Sequence, residues 1–389
     1  MRRLRRIGLV MLVMAVTALA WEPTRVAVQT AILLPNLLDS GPKVLSVFSE
    51  APQRSSLPYR AAAESGTEPD LAELWLPSWA SAERPAGAML LVFGVNNLGR
   101  NHPSIERVAD GLARTGVAIL VPDSRTLLEG RLEVGEIDGV VRAFQLLAAR
   151  PEVDRARIGI VGFSVGGSLA LLAARDPRIA AQVRWVNAFG AFADAETYLA
   201  SVAAHAFMGP EGEIVAWTPT PLAREVFLHF VLDQVDDRVD RGALDAALGE
   251  PILAGERPAA EAALRGELVS DAGRAALDLL TASSLEAAVA AIQSLPASSR
   301  DFIDAISPGR HLDGLEAAVY LMHEVEDHHV PYVESRSLVE ALGPADLLVQ
   351  HTEFRLFDHV QPDDLDLVAA APELVKLLLH VRALMEETL

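Results

Sequence analysis

Arg157-Ile158-Gly159-Ile160-Val161-Gly162-Phe163-Ser164-Val165-Gly166-Gly167-Ser168 is a short apolar run that ends in a glycine-flanked serine and passes into an alanine- and leucine-rich segment. The pattern predicts a buried strand, a tight turn and a helix. Glycines two residues either side of Ser164 let strand and helix crowd together. A glycine-rich strand-to-helix turn can also seat a phosphate on the helix N-terminus. The flanking sequence has to choose between serine chemistry and a phosphate seat.

Outward from this stretch, strand and helix signals alternate. Apolar runs at residues 71–77, 88–93, 117–121 and 182–188 predict strands, and helical spacing at 105–114 and 135–150 fills the gaps between them. Such alternation predicts an α/β fold with a doubly wound, mostly parallel sheet, whose ligand site lies at the carboxyl ends of the strands. From about residue 194 to 307 the alternation stops. That stretch is alanine-rich and punctuated by Pro221, Pro258 and the capping box Ser283-x-x-Glu286, which predicts an all-helical insertion able to act as a lid. Alternation then resumes with strands at 315–322 and 352–357 and helices at 332–342 and 363–385. The expected division is therefore 1–20, a core in two parts at 21–193 and 308–389, and the insertion at 194–307.

The amino terminus has the three parts of an export signal. Arg2-Arg3-Leu4-Arg5-Arg6 precedes the apolar run Ile7 to Ala20, which closes on Ala18-Leu19-Ala20. As a helix that run would span about 21 Å, short of the ~30 Å hydrocarbon core, which favours cleavage after Ala20 over a permanent span. The expectation is an exported protein, secreted or periplasmic, or one anchored to the outer face of the membrane. The apolar residues 26–38 would then either pack on the domain or lie along a membrane surface.

At the serine turn the chain resembles the α/β-hydrolase superfamily, and within it the serine esterases and dienelactone-hydrolase-like enzymes, through Gly162-x-Ser164-x-Gly166. The resemblance continues downstream. His323-Glu324-Val325-Glu326-Asp327-His328-His329-Val330-Pro331 is similar to the superfamily's H-G-x-x-D-x-x-V-P segment, with Asp327 at the place of the acid, and Phe357-Asp358-His359 puts a histidine just past a strand end, where the base sits. The resemblance implies a triad of Ser164, Asp327 and His359, with the Val165 amide and an amide of the loop 94–97, Val95, as oxyanion donors. Glu324 departs from the glycine of the H-G pair, Glu326 offers a second acid beside Asp327, and the 94–97 loop lacks the H-G-G-G of many lipases.

A net charge of -20 opposes binding to nucleic acid. The absence of cysteine excludes disulfides, thiolate zinc sites and a thiol nucleophile. His323-Glu324 begins an H-E-x-x-H zinc pattern, but Asp327 stands at the fifth position, so neither a metal nor a cofactor is expected. These readings converge on an enzyme that cleaves esters of small to medium, partly apolar acyl compounds through an acyl-enzyme. A peptidase or thioesterase with the same triad remains as an alternative, as does a non-catalytic, membrane-tethered binding module. The sequence says nothing of oligomeric state.

Overall fold

The computed structural model of the protein describes residues 22–37, 44–60, 69–260, 262–358, 361–362 and 370–389. Helix α1 (Glu22–Leu37) precedes strands β1 (Gln53–Arg60), β2 (Asp70–Leu76) and β3 (Ala86–Val92), then α2 (Pro103–Thr115), β4 (Ala118–Pro122), α3 (Gly135–Ala148) and β5 (Val153–Phe163). Helix α4 (Val165–Ala174) follows the serine turn and leads to β6 (Trp185–Phe189). After the insertion come β9 (Ala318–Glu324), α11 (Val333–Leu342), β10 (Leu348–Phe354), the short strands β11 (Phe357–Asp358) and β12 (Gln361–Pro362), and α12 (Ala371–Thr388).

The main sheet has eight strands in the order β1-β2-β4-β3-β5-β6-β9-β10. The pairs from β4 to β10 are parallel, and β1 and β2 join antiparallel at one edge. Alternation along β3 explains why the sheet needs helices on both faces. Ala88, Leu90 and Val92 pack with Phe144 and Leu147 of α3 and Leu169 of α4, while Met89 and Leu91 pack with Ile105 and Leu112 of α2 and Val26 and Leu33 of α1. Full burial of a leucine such as Leu90 contributes about 2 kcal/mol. Helix α1 thus lies on the domain, with Val26 and Leu33 in its core and Gln29 Nε2 donating to the Thr115 carbonyl at 2.8 Å. Residues 1–21, which hold the signal-like run, lie outside the described residues.

Strands β3 and β5 are neighbours, and the connection from β3 runs to β4 on one side while that from β5 runs to β6 on the other. A crevice opens at such a switch point. Val95 follows β3 and Ser164 follows β5, so both stand at its mouth.

The insertion comprises α5 (Ala195–Ala204), the hairpin β7 (Ala206–Met208) and β8 (Ile214–Ala216), α6 (Pro221–Asp233), α7 (Arg238–Ala254), α8 (Asp271–Leu280), α9 (Leu285–Ser294) and α10 (Ala297–Ala305), with one short turn of helix at Ala262–Glu267. It is helical but for the hairpin, where Gly212 takes φ +82 and reverses the chain between Met208 and Ile214. Pro221 opens α6, whereas Pro258 lies in a non-helical stretch because α7 has already closed on Gly255 at φ +88. The capping serine of α9 is Ser284, one residue beyond the expected one; its hydroxyl accepts from the Ala287 amide at 3.2 Å. Exit and return are tied together. The Ala195 amide donates to Ser307 Oγ at 2.9 Å, the Gly309 amide to the Ala193 carbonyl at 2.8 Å, and Arg310 pairs with Asp194 and Glu196. The buried Glu334 carboxylate of α11 takes the Ala193 and Asp194 amides and the Thr197 hydroxyl. Its own burial raises its pKa.

Candidate active site

Ser164 adopts φ 55° and ψ −134°, a conformation that costs a non-glycine residue about 1–3 kcal/mol and persists only where its surroundings enforce it. The enforcement is visible in the chain around it. The Ser164 amide donates to the Phe189 carbonyl of β6 at 2.7 Å, and its carbonyl accepts from Gly167 at 2.8 Å. A Cβ on Gly162 would lie 2.3 Å from the Gly166 carbonyl oxygen, and one on Gly166 would lie 2.3 Å from that of Val92. Only glycine lets α4 begin this close to β5 and β3. The Val165 amide is the first of α4 and has no acceptor within the helix.

Ser164 opens into a cleft of about 730 Å³, its mouth included, whose wall also holds Val95 and Val165. The two expected oxyanion donors and the serine thus share one cavity. Asn96 shapes the loop beyond β3 as an Asx turn, accepting from the Leu98 amide at 3.2 Å, while Arg100 turns away to pair with Glu73 and Asp123. Below the cleft, aromatic rings run along the strand ends. Phe93 stacks on Phe163 at 4.7 Å, Phe163 lies 6.1 Å from Phe189, and Phe189 lies 6.3 Å from Phe354.

Of the two neighbouring acids, Asp327 is 2% exposed and Glu326 faces solvent, where it pairs with Arg355 at 2.7 Å. Asp327 Oδ1 accepts from the His329 and Val330 amides at 2.6 and 3.0 Å. Its Oδ2 lies 3.4 Å from Nε2 of the fully buried His323, which donates to the Val330 carbonyl at 3.0 Å. Glu324, where the superfamily has glycine, is buried and accepts from the Leu356 and Glu326 amides at 2.6 and 3.3 Å, so it ties the acid's loop to the segment after β10. His359 lies outside the described residues; Asp358 and Gln361, on either side of it in sequence, pair as β11 and β12. The structure therefore brings Ser164, Val95 and Val165 into one cleft and orders Asp327 in the loop after β9.

Several residues of the site lie outside the motifs that mark the triad. The cleft's outer wall comes from the insertion, with Tyr198 and Leu199 of α5 and Leu222, Val226 and Phe230 of α6. Tyr198 stacks on Phe192 at 5.4 Å, and burial, then the Asp327 and Glu334 carboxylates, raise its pKa, so the phenol stays a proton donor in the cleft. Trp217 belongs to the insertion's core, and its Nε1 also donates to the Asp327 carbonyl at 2.8 Å. Next to it, the Thr220 amide donates to the His328 carbonyl at 2.9 Å. His329, two residues past Asp327, lines the cleft with Ser164. No group of three or more His, Asp or Glu side chains suited to a metal occurs among the described residues.

This sheet, with a strained serine at the head of the helix after β5, is the α/β-hydrolase fold. Over residues 86–215, about a third of the chain, it matches the family model of the dienelactone hydrolase family. The matched stretch contains Val95, Ser164 and Val165 and ends before Asp327 and His359. Among solved structures it is similar to a protein described as a dipeptidyl aminopeptidase IV from Bacteroides ovatus, with a TM-score of 0.52 and 15% identity over 87% of this chain and 36% of that one. It is similar also to the dipeptidyl peptidase 4 of Porphyromonas gingivalis, with a TM-score of 0.51 and 13% identity over 87% and 36% of the two chains. The chain thus spans about a third of the length of these peptidases, and at such identity the likeness is one of fold. No curated protein matches it. Fold, serine geometry and family match together support a hydrolase of the serine type.

Proposed function

We propose that the protein is an exported serine hydrolase that cleaves carboxylic esters of small to medium, partly apolar acyl groups. The observation that carries this reading is Ser164 at positive φ, opening into a mostly apolar cleft beside the Val95 and Val165 residues. Ser164 Oγ attacks the ester carbonyl carbon while His359 takes the hydroxyl proton, and the carbonyl electrons move onto an oxygen held by the Val95 and Val165 amides. The carbon–oxygen bond to the alcohol then breaks, and the leaving oxygen receives the proton from His359. Water repeats the sequence. His359 takes its proton, the oxygen attacks the acyl carbon, and Ser164 leaves with that proton. Asp327 orients His359 and stabilises its charged form.

Apolar walls around the serine favour an acyl chain over a charged peptide terminus, and the insertion that builds those walls is read as a lid that excludes water. The same triad would serve a peptidase or thioesterase, since it sets acyl transfer and leaves the leaving group open. A second reading concerns the base, because His329 shares the cleft with Ser164; against it, His329 Nδ1 is 4.0 Å from Asp327 Oδ1, beyond hydrogen-bond reach. Among the described residues no helix is long and apolar enough to cross a membrane. Export is assigned to the amino-terminal signal, with cleavage after Ala20.

A panel of p-nitrophenyl esters of rising chain length, with matched thioesters and amino-acid anilides, tests the reading. Short and medium esters should turn over, with activity lost in Ser164→Ala and His359→Ala and retained in His329→Ala. Turnover of anilides alone would make the protein a peptidase, and loss in His329→Ala with retention in His359→Ala would move the base.

A further inference from the structure

Arg224 of α6 is 8% exposed, and no acidic side chain lies within ion-pair reach of it among the described residues. Its Nη1 donates to the Pro219 carbonyl at 2.5 Å and its Nη2 to the Leu253 carbonyl at 2.9 Å, while Nε is buried without an acceptor. Two carbonyls are weak compensation for a desolvated cation, which costs several kcal/mol when left unpaired. Burial alone lowers its pKa. Arg224 lies on the wall of a second, shallow pocket, of about 310 Å³ with its open mouth included, inside the insertion and separate from the Ser164 cleft. His205 and Arg257 line the same pocket, and among the described residues the hydrogen bond of Arg257 is from Nη2 to the Ser283 carbonyl, at 2.9 Å. Glu256, the one acid on that wall, is solvent-exposed and forms no ion pair with either arginine. In a chain with a net charge of -20, two arginines and a histidine gathered around a pocket without a carboxylate partner form a site of the opposite sign to the molecule.

We propose that this pocket binds a small carboxylate anion, held by Arg224 and Arg257 with His205 beside them. A planar two-oxygen edge matches the guanidinium fork, and the anion supplies the charge that Arg224 lacks. The pocket is also joined to the Ser164 cleft. Helix α6 presents Arg224 and Phe227 to the anion pocket and Leu222, Val226 and Phe230 to the cleft. Pro219, whose carbonyl Arg224 holds, lies between Trp217 and Thr220, the two residues bonded to the Asp327 loop. Occupancy therefore changes turnover at the cleft, a consequence that rests on the ester-hydrolase reading, whereas binding itself does not. A carboxylate is also what ester hydrolysis releases, so the site suits feedback by product.

Thermal unfolding in rising sodium acetate, sodium phosphate or sodium chloride at matched ionic strength tests binding. Ligand-linked stability predicts that acetate raises Tm with the logarithm of its concentration above the dissociation constant, by about 2 °C at ten times that constant. The shift should persist in the exposed-surface control Arg300→Ala and vanish in Arg257→Ala, a solvent-facing change that leaves the fold intact, and in Arg224→Met. A larger phosphate shift that is lost in Arg257→Ala would overturn the carboxylate assignment in favour of a phosphate site. An equal shift with chloride, or an acetate shift that survives Arg257→Ala, would overturn the site itself. Acetate should also change KM or kcat for p-nitrophenyl esters in the wild type and not in Arg257→Ala. Should no ester turn over, the Tm series still decides whether the pocket binds.

Discussion

Ser164 holds its backbone at φ 55° because β5, β3 and α4 meet there with no side chain between them. Replacing Gly166 with alanine would place a methyl 2.3 Å from the Val92 carbonyl oxygen, a backbone atom that cannot move aside. Gly166→Ala should therefore lose at least about 3 kcal/mol in urea unfolding; a loss below 1 kcal/mol would contradict the packing described. His380 of α12 is buried. Its Nε2 donates to Asn187 Oδ1 and its Nδ1 accepts from the Thr352 hydroxyl, each at 2.8 Å. Burial, then the nearby His351, push its pKa down to about 3. The unfolded value is about 6.5, so below that pH the unfolded chain binds a proton that the native state refuses, and stability falls by about 1.4 kcal/mol per pH unit down to pH 3. His380→Gln should flatten the stability profile by that slope between pH 6 and 4, and parallel profiles for the two proteins would refute the burial argument. The serine turn was legible in sequence because strand, glycines and helix are contiguous. His380 was not, because its partners lie 28 and 193 residues away.

At the scale of elements, the insertion does two things at the cleft: α5 and α6 wall it, and the segment ahead of α6 holds the acid's loop. Trp217 and Asp327 are 110 residues apart in sequence, so no local pattern could announce their bond. Trp217→Phe keeps the ring in that core and removes the donor. A lost hydrogen bond of about 1 kcal/mol corresponds to roughly a fivefold fall in kcat/KM, with Tm little changed. Unchanged kcat/KM would show that the loop holds its position without the bond. Val226 faces the cleft from α6, so Val226→Phe should shorten the longest acyl chain accepted, read as a steeper fall in kcat/KM beyond butyrate. An unaltered chain-length profile would place the acyl group elsewhere. Strand β1 also escaped the sequence reading. Its eight residues, Gln53 to Arg60, carry no apolar alternation beyond Leu57 and Tyr59, and it holds to β2 by ladder bonds and by Arg54 and Ser56 on Glu73.

Over the whole molecule, the chain leaves the sheet after β6 and returns before β9 at points that are bonded to each other, so the insertion closes on itself above the strand ends. Loss and return of alternation set its expected start and finish; which of its side chains reach the serine had no such mark, because their partners lie in distant segments of the chain. Helix α1 lies on the core immediately after the signal-like run, and cleavage after Ala20 would leave it in place. The mature protein should begin at Trp21 by amino-terminal sequencing, and an intact Met1 in the membrane fraction would replace export by anchoring. The most direct test of the account is to treat the intact protein with a fluorophosphonate and map the adduct. A single adduct on Ser164, absent from Ser164→Ala and matched by loss of ester hydrolysis, is the expected result; an adduct on any other residue, or none while esters are still hydrolysed, would contradict it.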